Sequence, residues 1–370
     1  MTQTHRTKAY LDDRAHVFHS WSAQGLIDPV DIVKAEGSWM WDANGKKYLD
    51  FSSQLVNVNI GHQHPKLVRA IQDYAAKMCT IAPFHANDAR SEAARLITEL
   101  APGDLDMVFF TNGGAEAAEN AARLARLHTG RHKILTTYRS YHGATAGAIA
   151  LTGDPRRWPN ETGVSGAVKF WGPYPYRSAF HSADDAEETQ RALAHLEDVI
   201  MVEGPQFVAA VILETVVGTN GILVPPDGYI AGVREICDRH GILMVADEVM
   251  AGFGRTGRWF AIDHWGVTPD LMTMAKGLTS SYLPLGAVAM SHALSEKFDS
   301  MVYSGGLTYG AHPVSCAAAV ATLDIYETDG LVANAAKMGE VLRGHHERMK
   351  ARHPSVGAIR NIGLFGCLEL

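Results

Sequence analysis

Short apolar runs that stop at a glycine or a charged residue recur through the middle of this chain. Between them lie stretches with helical periodicity. DMVFF (106–110) stops just before Asn112-Gly113-Gly114, and AEAAENAARLARLH (115–128) follows with good helix formers at helical spacing. KILTTY (133–138), FVAAVILET (207–215), ILMVADEV (242–249), LMTMAK (271–276) and GAVAMS (286–291) read as further strands, with a helix over 228–240 among them. This alternation predicts right-handed crossovers and a mostly parallel sheet, hence an α/β fold. Ligands of such a sheet sit beyond the carboxyl ends of its strands, so the residues just after each run are where chemistry is expected.

The flanking regions are less regular. GSWMWDANGKKYLDF (37–51) reads as two short strands around an Asn44-Gly45 turn. Helices are expected over 67–78, 88–100, 312–327 and 331–353, and one strand over 360–370. The Pro-, Gly- and Trp-rich stretch 152–182 reads as an irregular excursion. At 370 residues the chain is long enough for two or three domains. Its 33 basic and 40 acidic residues form no basic block, which argues against a nucleic-acid partner. The four cysteines (79, 237, 316, 367) form no CxxC pair, so neither a disulfide framework nor a metal site is expected. No apolar run is long enough to span a membrane, and the first 21 residues lack the apolar stretch of a signal peptide, so a cytoplasmic protein is expected.

Five strand-end features carry candidate chemistry. TNGGAEAAE (111–119) places two glycines at a helix start, which suits either a phosphate cradle or a plain tight turn. Tyr141, in YHG, offers an aromatic face for a flat ligand or for simple packing. Asp247 ends a buried strand and needs a partner, either a protonated ring nitrogen or an arginine such as Arg255. Lys276 also ends an apolar strand; desolvation there makes an amine nucleophilic, whereas a snorkelling lysine would have no such role. GGLTYGAHP (305–313) is an anion loop or a helix entry. Together these are the groups that pyridoxal 5'-phosphate (PLP) needs from a protein.

The strings MVADEVMAGFGRTGR (244–258) and PDLMTMAKGLTSSYLPLGA (269–287) closely resemble the signature of the class III, or omega, PLP-dependent aminotransferases. GHQHP, TNGGAEAAE, YHG, ETVVGTNGILVPP and GLTYGAHP occur in that family's order. The resemblance implies the aspartate aminotransferase-like PLP-dependent transferase fold. Residues 61–325 would then be a large cofactor domain, residues 1–60 part of a small domain, and residues 326–370 the start of its second part. It implies that Lys276 carries the cofactor and moves the substrate proton, and that Asp247 keeps the pyridine nitrogen protonated. Val249 and Tyr141 would cover the ring faces, and Gly113, Gly114 and Ala115 would bind the phosphate. His142 and Glu214 would complete the ring environment. Thr308 would reach the phosphate in a neighbouring subunit of a homodimer. Trp21, Leu55, Phe84 and Thr219 would line the substrate pocket, Phe84 across the dimer interface.

The sequence departs from the family in two places. The phosphate loop reads Gly-Gly-Ala where hydroxyl residues are common. The chain also stops at CLEL, where family members continue and supply an arginine for the substrate carboxylate, so it reads as a truncated form. Within the family, ETVVGTNG, VMAGFGRTG, AKGLTSSYLPLGA and SQLVNVNIGHQHP most resemble the taurine aminotransferases. That resemblance implies an omega-amine donor, taurine foremost, and a 2-oxo acid acceptor, pyruvate or 2-oxoglutarate. β-Alanine, 4-aminobutyrate and diamines are the alternative donors. A PLP-binding protein without turnover, or a decarboxylase or aminomutase on the same scaffold, is the alternative to aminotransfer.

Overall fold

The computed structural model describes residues 6–370 apart from 161, 162, 164 and 165. Near the amino terminus β1 (Ile32–Glu36), β2 (Trp39–Asp42) and β3 (Lys47–Leu49) form a small antiparallel sheet. The β2–β3 turn falls at the expected Asn44-Gly45, with Asp42 Oδ1 accepting the N–H groups of Asn44 and Lys46 at 2.9 Å each. β1 has no counterpart among the expected strands.

Seven strands make the central sheet: β4 (Met107–Thr111), β5 (Lys133–Thr137), β6 (Ala167–Phe170), β7 (Val208–Glu214), β8 (Leu243–Asp247), β9 (Leu271–Met274) and β10 (Gly286–Met290). Their order is β4-β10-β9-β8-β7-β5-β6. β6, β5, β7, β8 and β9 pair in parallel, while β10 runs antiparallel to both β9 and β4. The sheet is therefore mostly parallel with one reversed strand. β6 is an edge strand of four residues inside the stretch read as irregular, too short for its pattern to stand out from its Gly/Pro surroundings.

Helices cover both faces, which explains why the strands read as apolar runs rather than alternating ones: all seven residues of β7 are buried. On one face lies the helix Gly114–Thr129, whose Ala117, Ala121, Ala122 and Leu124 pack against Ile134, Ala210, Val245 and Val288. Small side chains on that helix let its axis lie close to the sheet. The other face packs against Asp88–Leu100, Asp185–Glu203, Tyr229–His240 and Pro313–Thr328, with Ile97, Leu196, Ile236 and Leu323 in the shared core. Each such fully buried aliphatic side chain contributes about 1.5–3 kcal/mol.

The chain ends in a long helix (Leu331–Arg352) and a hairpin, β11 (Ala358–Ile362) with β12 (Phe365–Glu369). This corrects the single strand expected over 360–370. Gly363 breaks it at φ +55°, and a Cβ there would lie 2.3 Å from the Thr256 carbonyl carbon, so only glycine fits the turn.

Candidate active site

The parallel strands deliver their residues to one edge. Glu214 and Asp247, the last residues of β7 and β8, are register partners, and Lys276 stands two residues beyond the end of β9. β4 runs in the same direction as β9, so Gly113 and Gly114 arrive there too; β10 starts there, Gly286 pairing with Thr111. A cavity of about 470 Å³ opens at this edge, a size typical of cofactor sites. Its lining includes Gly113, Gly114, Ala115, Tyr141, His142, Asp247, Val249 and Lys276, which are eight of the ten expected cofactor residues.

Asp247 is almost fully buried. Its Oδ1 accepts the Val249 N–H at 3.0 Å, and its Oδ2 lies 2.6 Å from His142 Nδ1. The sequence left Arg255 as a possible partner for Asp247. Instead Arg255 donates to Asn59 Oδ1, and to Ser53 Oγ at 3.4 Å. His142 is fixed from behind by its own N–H, which donates to Thr152 Oγ1 at 3.0 Å. Its Nε2 is buried without a hydrogen-bond partner among the described residues.

Glu214 stands beside this pair but does not line the cavity. It accepts the Tyr141 N–H on Oε1 and the Gly218 N–H on Oε2, both at 2.8 Å. Burial pushes its pKa up to about 7, helped by the charge of Asp247 and opposed by His142 and the two N–H donors. Glu214 thus anchors the Tyr141 loop.

Lys276 adopts φ +41°, a left-handed conformation that costs a non-glycine residue about 1–3 kcal/mol and tends to persist where function requires it. Burial drives its amine pKa down; Asp247 and Glu214 oppose the fall and the positive charge of Arg156 adds to it. Nζ makes no hydrogen bond among the described residues. The arrangement is that of a desolvated nucleophilic amine.

The start of the helix Gly114–Thr129 lines the same cavity. Its first N–H groups have no intrahelical partners and sit at the positive end of the helix dipole. The fit here is tight. A Cβ on Gly114 would lie 2.8 Å from Val249 Cγ1, and one on Gly143 would lie 2.4 Å from Ala115 Cβ. This donor set could take an anionic phosphate at the helix start, a flat ring beside Tyr141 and Val249, a ring nitrogen near Asp247 and a carbonyl near Lys276. The residues present fit PLP.

Other expected residues fall outside this cavity in the single chain. Thr308 and Thr219 are exposed, and Trp21, Leu55 and Phe84 lie on the surface, Phe84 with 82% of its area exposed. One group not anticipated from the sequence lies at the site. The Arg156 guanidinium stacks 3.7 Å from the Tyr141 ring centroid. Asp154 holds it through Nε at 2.9 Å, and Thr219 Oγ1 accepts from Nη2 at 2.9 Å. Its Nη1 makes no hydrogen bond among the described residues. Arg156 sits within the 152–182 excursion, where the only signal was Asp154 followed by Pro155, a helix-start pair.

A strand-end lysine, a buried acid braced by a histidine and a helix-start anion cradle, on a mostly parallel sheet with helices on both faces, define a PLP-dependent enzyme of the aminotransferase fold. The family model for class-III aminotransferases matches residues 22–370, and the chain belongs to that family of PLP-dependent enzymes. The chain superposes on the taurine:2-oxoglutarate aminotransferase of Bifidobacterium kashiwanohense, solved with PLP and glutamate, with a TM-score of 0.96 and 43% identity, covering 100% of this chain and 83% of that one. It is 34% identical to the taurine–pyruvate aminotransferase of Bilophila wadsworthia, over 97% of this chain and 81% of the relative. It is also 34% identical to the 5-aminovalerate aminotransferase DavT of Pseudomonas aeruginosa, over 94% of this chain and 80% of the relative. No helix among the described residues is long and apolar enough to cross a membrane.

Proposed function

We propose that this aminotransferase takes the amino group from an omega-amine with an anionic group at its far end, taurine foremost, and passes it to pyruvate or 2-oxoglutarate. The observation that carries this reading is the Arg156 cation beside Tyr141, near enough to Lys276 to depress its pKa and with Nη1 free. A fixed guanidinium stacked on Tyr141, which itself lines the cavity, favours a sulfonate or carboxylate tail over a neutral or cationic one. The relatives named for taurine support a sulfonate, and the one named for 5-aminovalerate supports a carboxylate.

Each site residue has a role in this reading. PLP, when bound, supplies an electron sink for the pair released as the C–H bond beside the amine breaks. Lys276, kept neutral more readily by burial, takes that proton and returns it. Asp247, held by His142 and the Val249 N–H, would face the ring nitrogen. Gly113, Gly114 and Ala115 would hold the phosphate through their N–H groups, and Tyr141 and Val249 would cover the ring faces. Glu214 positions Tyr141 through its N–H bond. The donor leaves its amino group behind and departs as the corresponding oxo compound before the 2-oxo acid binds and takes that group, so ping-pong kinetics follow.

In this reading the enzyme is a homodimer with shared sites: Thr308 reaches the phosphate in the neighbouring subunit, Phe84 lines the substrate pocket across the interface, and Trp21, Leu55 and Thr219 are its other lining residues; Trp21, Leu55, Phe84, Thr219 and Thr308 are all exposed in one chain. In this reading residues 1–60, which hold the three-stranded β1–β3 sheet, and residues 326–370 belong to the smaller domain. They share a groove lined by Leu49 and Phe51 on one side and by Met338, Leu342 and Leu368 on the other.

The test is a comparison of kcat/KM for taurine, β-alanine, 4-aminobutyrate and a diamine with each 2-oxo acid. Taurine leads in this reading, and the diamine trails every anionic donor. A diamine used as well as taurine would overturn it.

A further inference from the structure

The turn after β7 carries an unusual backbone. Gly221 has φ +119° and the next residue, Ile222, has φ +50°. A β-branched residue in the left-handed region is strained, and such strain persists only where surrounding contacts impose it. Two contacts from the terminal hairpin do so. Ile222 is buried in a cluster with Val216, Ala251, Ala261 and Phe365, the last being the first residue of β12. Arg360 of β11 donates Nε to the Gly221 carbonyl at 2.9 Å. A Cβ at Gly221 would lie only 3.3 Å from Arg360 Nη2, so the close approach uses the glycine.

Arg360 is itself braced. Its Nη2 donates to Glu369 at 2.7 Å, and the same carboxylate receives Tyr174 and Arg177. These partners hold the Glu369 pKa down at about 2, against burial, so the brace stays ionised at neutral pH.

The opposite side of the turn faces the site. Thr219 Oγ1 accepts from Arg156, Asn220 Nδ2 donates to Asp154 at 3.3 Å, and the Gly218 N–H donates to Glu214 at 2.8 Å. One short turn thus touches the arginine stacked on Tyr141, the acid that holds it and the glutamate that anchors Tyr141.

We infer that the β11–β12 hairpin clamps the turn 217–223, and that Arg360 is a positioning residue for recognition of the donor's anionic end. Arg360 touches no substrate; it acts by holding Thr219 under Arg156. The inference rests on the proposed reading of Arg156 as the group that meets that end.

The experiment uses the purified enzyme loaded with PLP. Steady-state rates are measured with taurine and with propylamine, which lacks an anionic tail, for the parent and for Arg360→Ala, Arg360→Met, Arg360→Lys and Arg156→Ala. Loss of one charge-assisted hydrogen bond corresponds to about a tenfold rise in KM for taurine. Arg360→Ala is expected to show that rise, with the propylamine KM and the cofactor absorbance unchanged. Arg360→Lys recovers part of the loss, because an ammonium can still reach the Gly221 carbonyl. Arg360→Met keeps the packing of the stem and gives the same result as alanine, so the test stands even where the alanine variant does not fold. Equal losses with both donors, or a fall in melting temperature alone, would overturn the clamp. Should Arg156→Ala leave the donor preference intact, the reading of Arg156 itself fails. Should Arg156→Ala abolish the preference while folded Arg360 variants keep it, only the clamp fails.

Discussion

Gly114→Ala tests the proposed phosphate cradle with one added methyl group. Its position follows from the backbone: 2.8 Å from Val249 Cγ1 and 3.1 Å from Cγ2. Carbon atoms do not approach so closely, so either Val249 leaves its rotamer or the helix start at residues 113–115 moves out. Overpacking of this kind costs about 1–3 kcal/mol. Val249 is proposed to cover one ring face and the residue 114 N–H to bind the phosphate, so the cost falls on the bound state. At about 1.4 kcal/mol per tenfold, PLP affinity should drop by roughly 5- to 140-fold. The assay is a PLP titration of the apo protein followed by absorbance, with melting temperature recorded in parallel. Adding Val249→Ala to Gly114→Ala removes the crowding and should recover part of the affinity. Unchanged affinity in Gly114→Ala, or a double variant weaker than the sum of the singles, would refute the cradle geometry.

Three further outcomes are expected. Lys276→Ala should abolish turnover and let PLP be removed by simple dialysis, and normal transamination by that variant would remove its assigned role. Asp247→Ala should keep PLP covalently held but slow the amine half-reaction by about 100-fold or more, measured in single turnover with taurine. Glu248 is fully buried and accepts the N–H groups of Ala261 and Ile262 at 2.9 and 2.8 Å. Burial raises its pKa from 4.5 to about 7, so its contribution to stability is fully present below pH 4.5 and is lost as pH rises through about 7. The Tm of the parent relative to that of Glu248→Gln, without cofactor, should therefore fall as pH rises across that window; a difference independent of pH would contradict the titration.

Much of the fold was legible because the buried strands are mainly apolar, broken inside only by buried threonines such as Thr136 and Thr273, and carry their charged residues at or just beyond the sheet edge. The change from VILET to Gly218 and from MTMAK to Gly277 marks where each strand leaves the core. Helix limits were legible for similar reasons. Asp88–Leu100 starts after the Asn87 cap and ends before Pro102, both visible in sequence. The reversal of β10 was not legible, since an apolar run carries no direction. Nor was the Gly363 break in the terminal strand, because only the neighbouring Thr256 carbonyl makes a side chain there impossible.

In the site, Lys276, Asp247 and the glycines stood out because their chemistry is costly at a buried strand end. His142 was placed by resemblance, and its bond to Asp247 joins residues 105 positions apart that the sequence gives no means of pairing. Arg156 was missed because an arginine in a loop is ordinarily solvated; only the fold brings it over Tyr141.

The most direct test of the account is the absorbance spectrum of the purified 370-residue protein with PLP, recorded before and after taurine. The protein should be yellow, its visible band lost on adding taurine and restored by a 2-oxo acid. A yellow protein whose band responds to no omega-amine would contradict aminotransfer at Lys276.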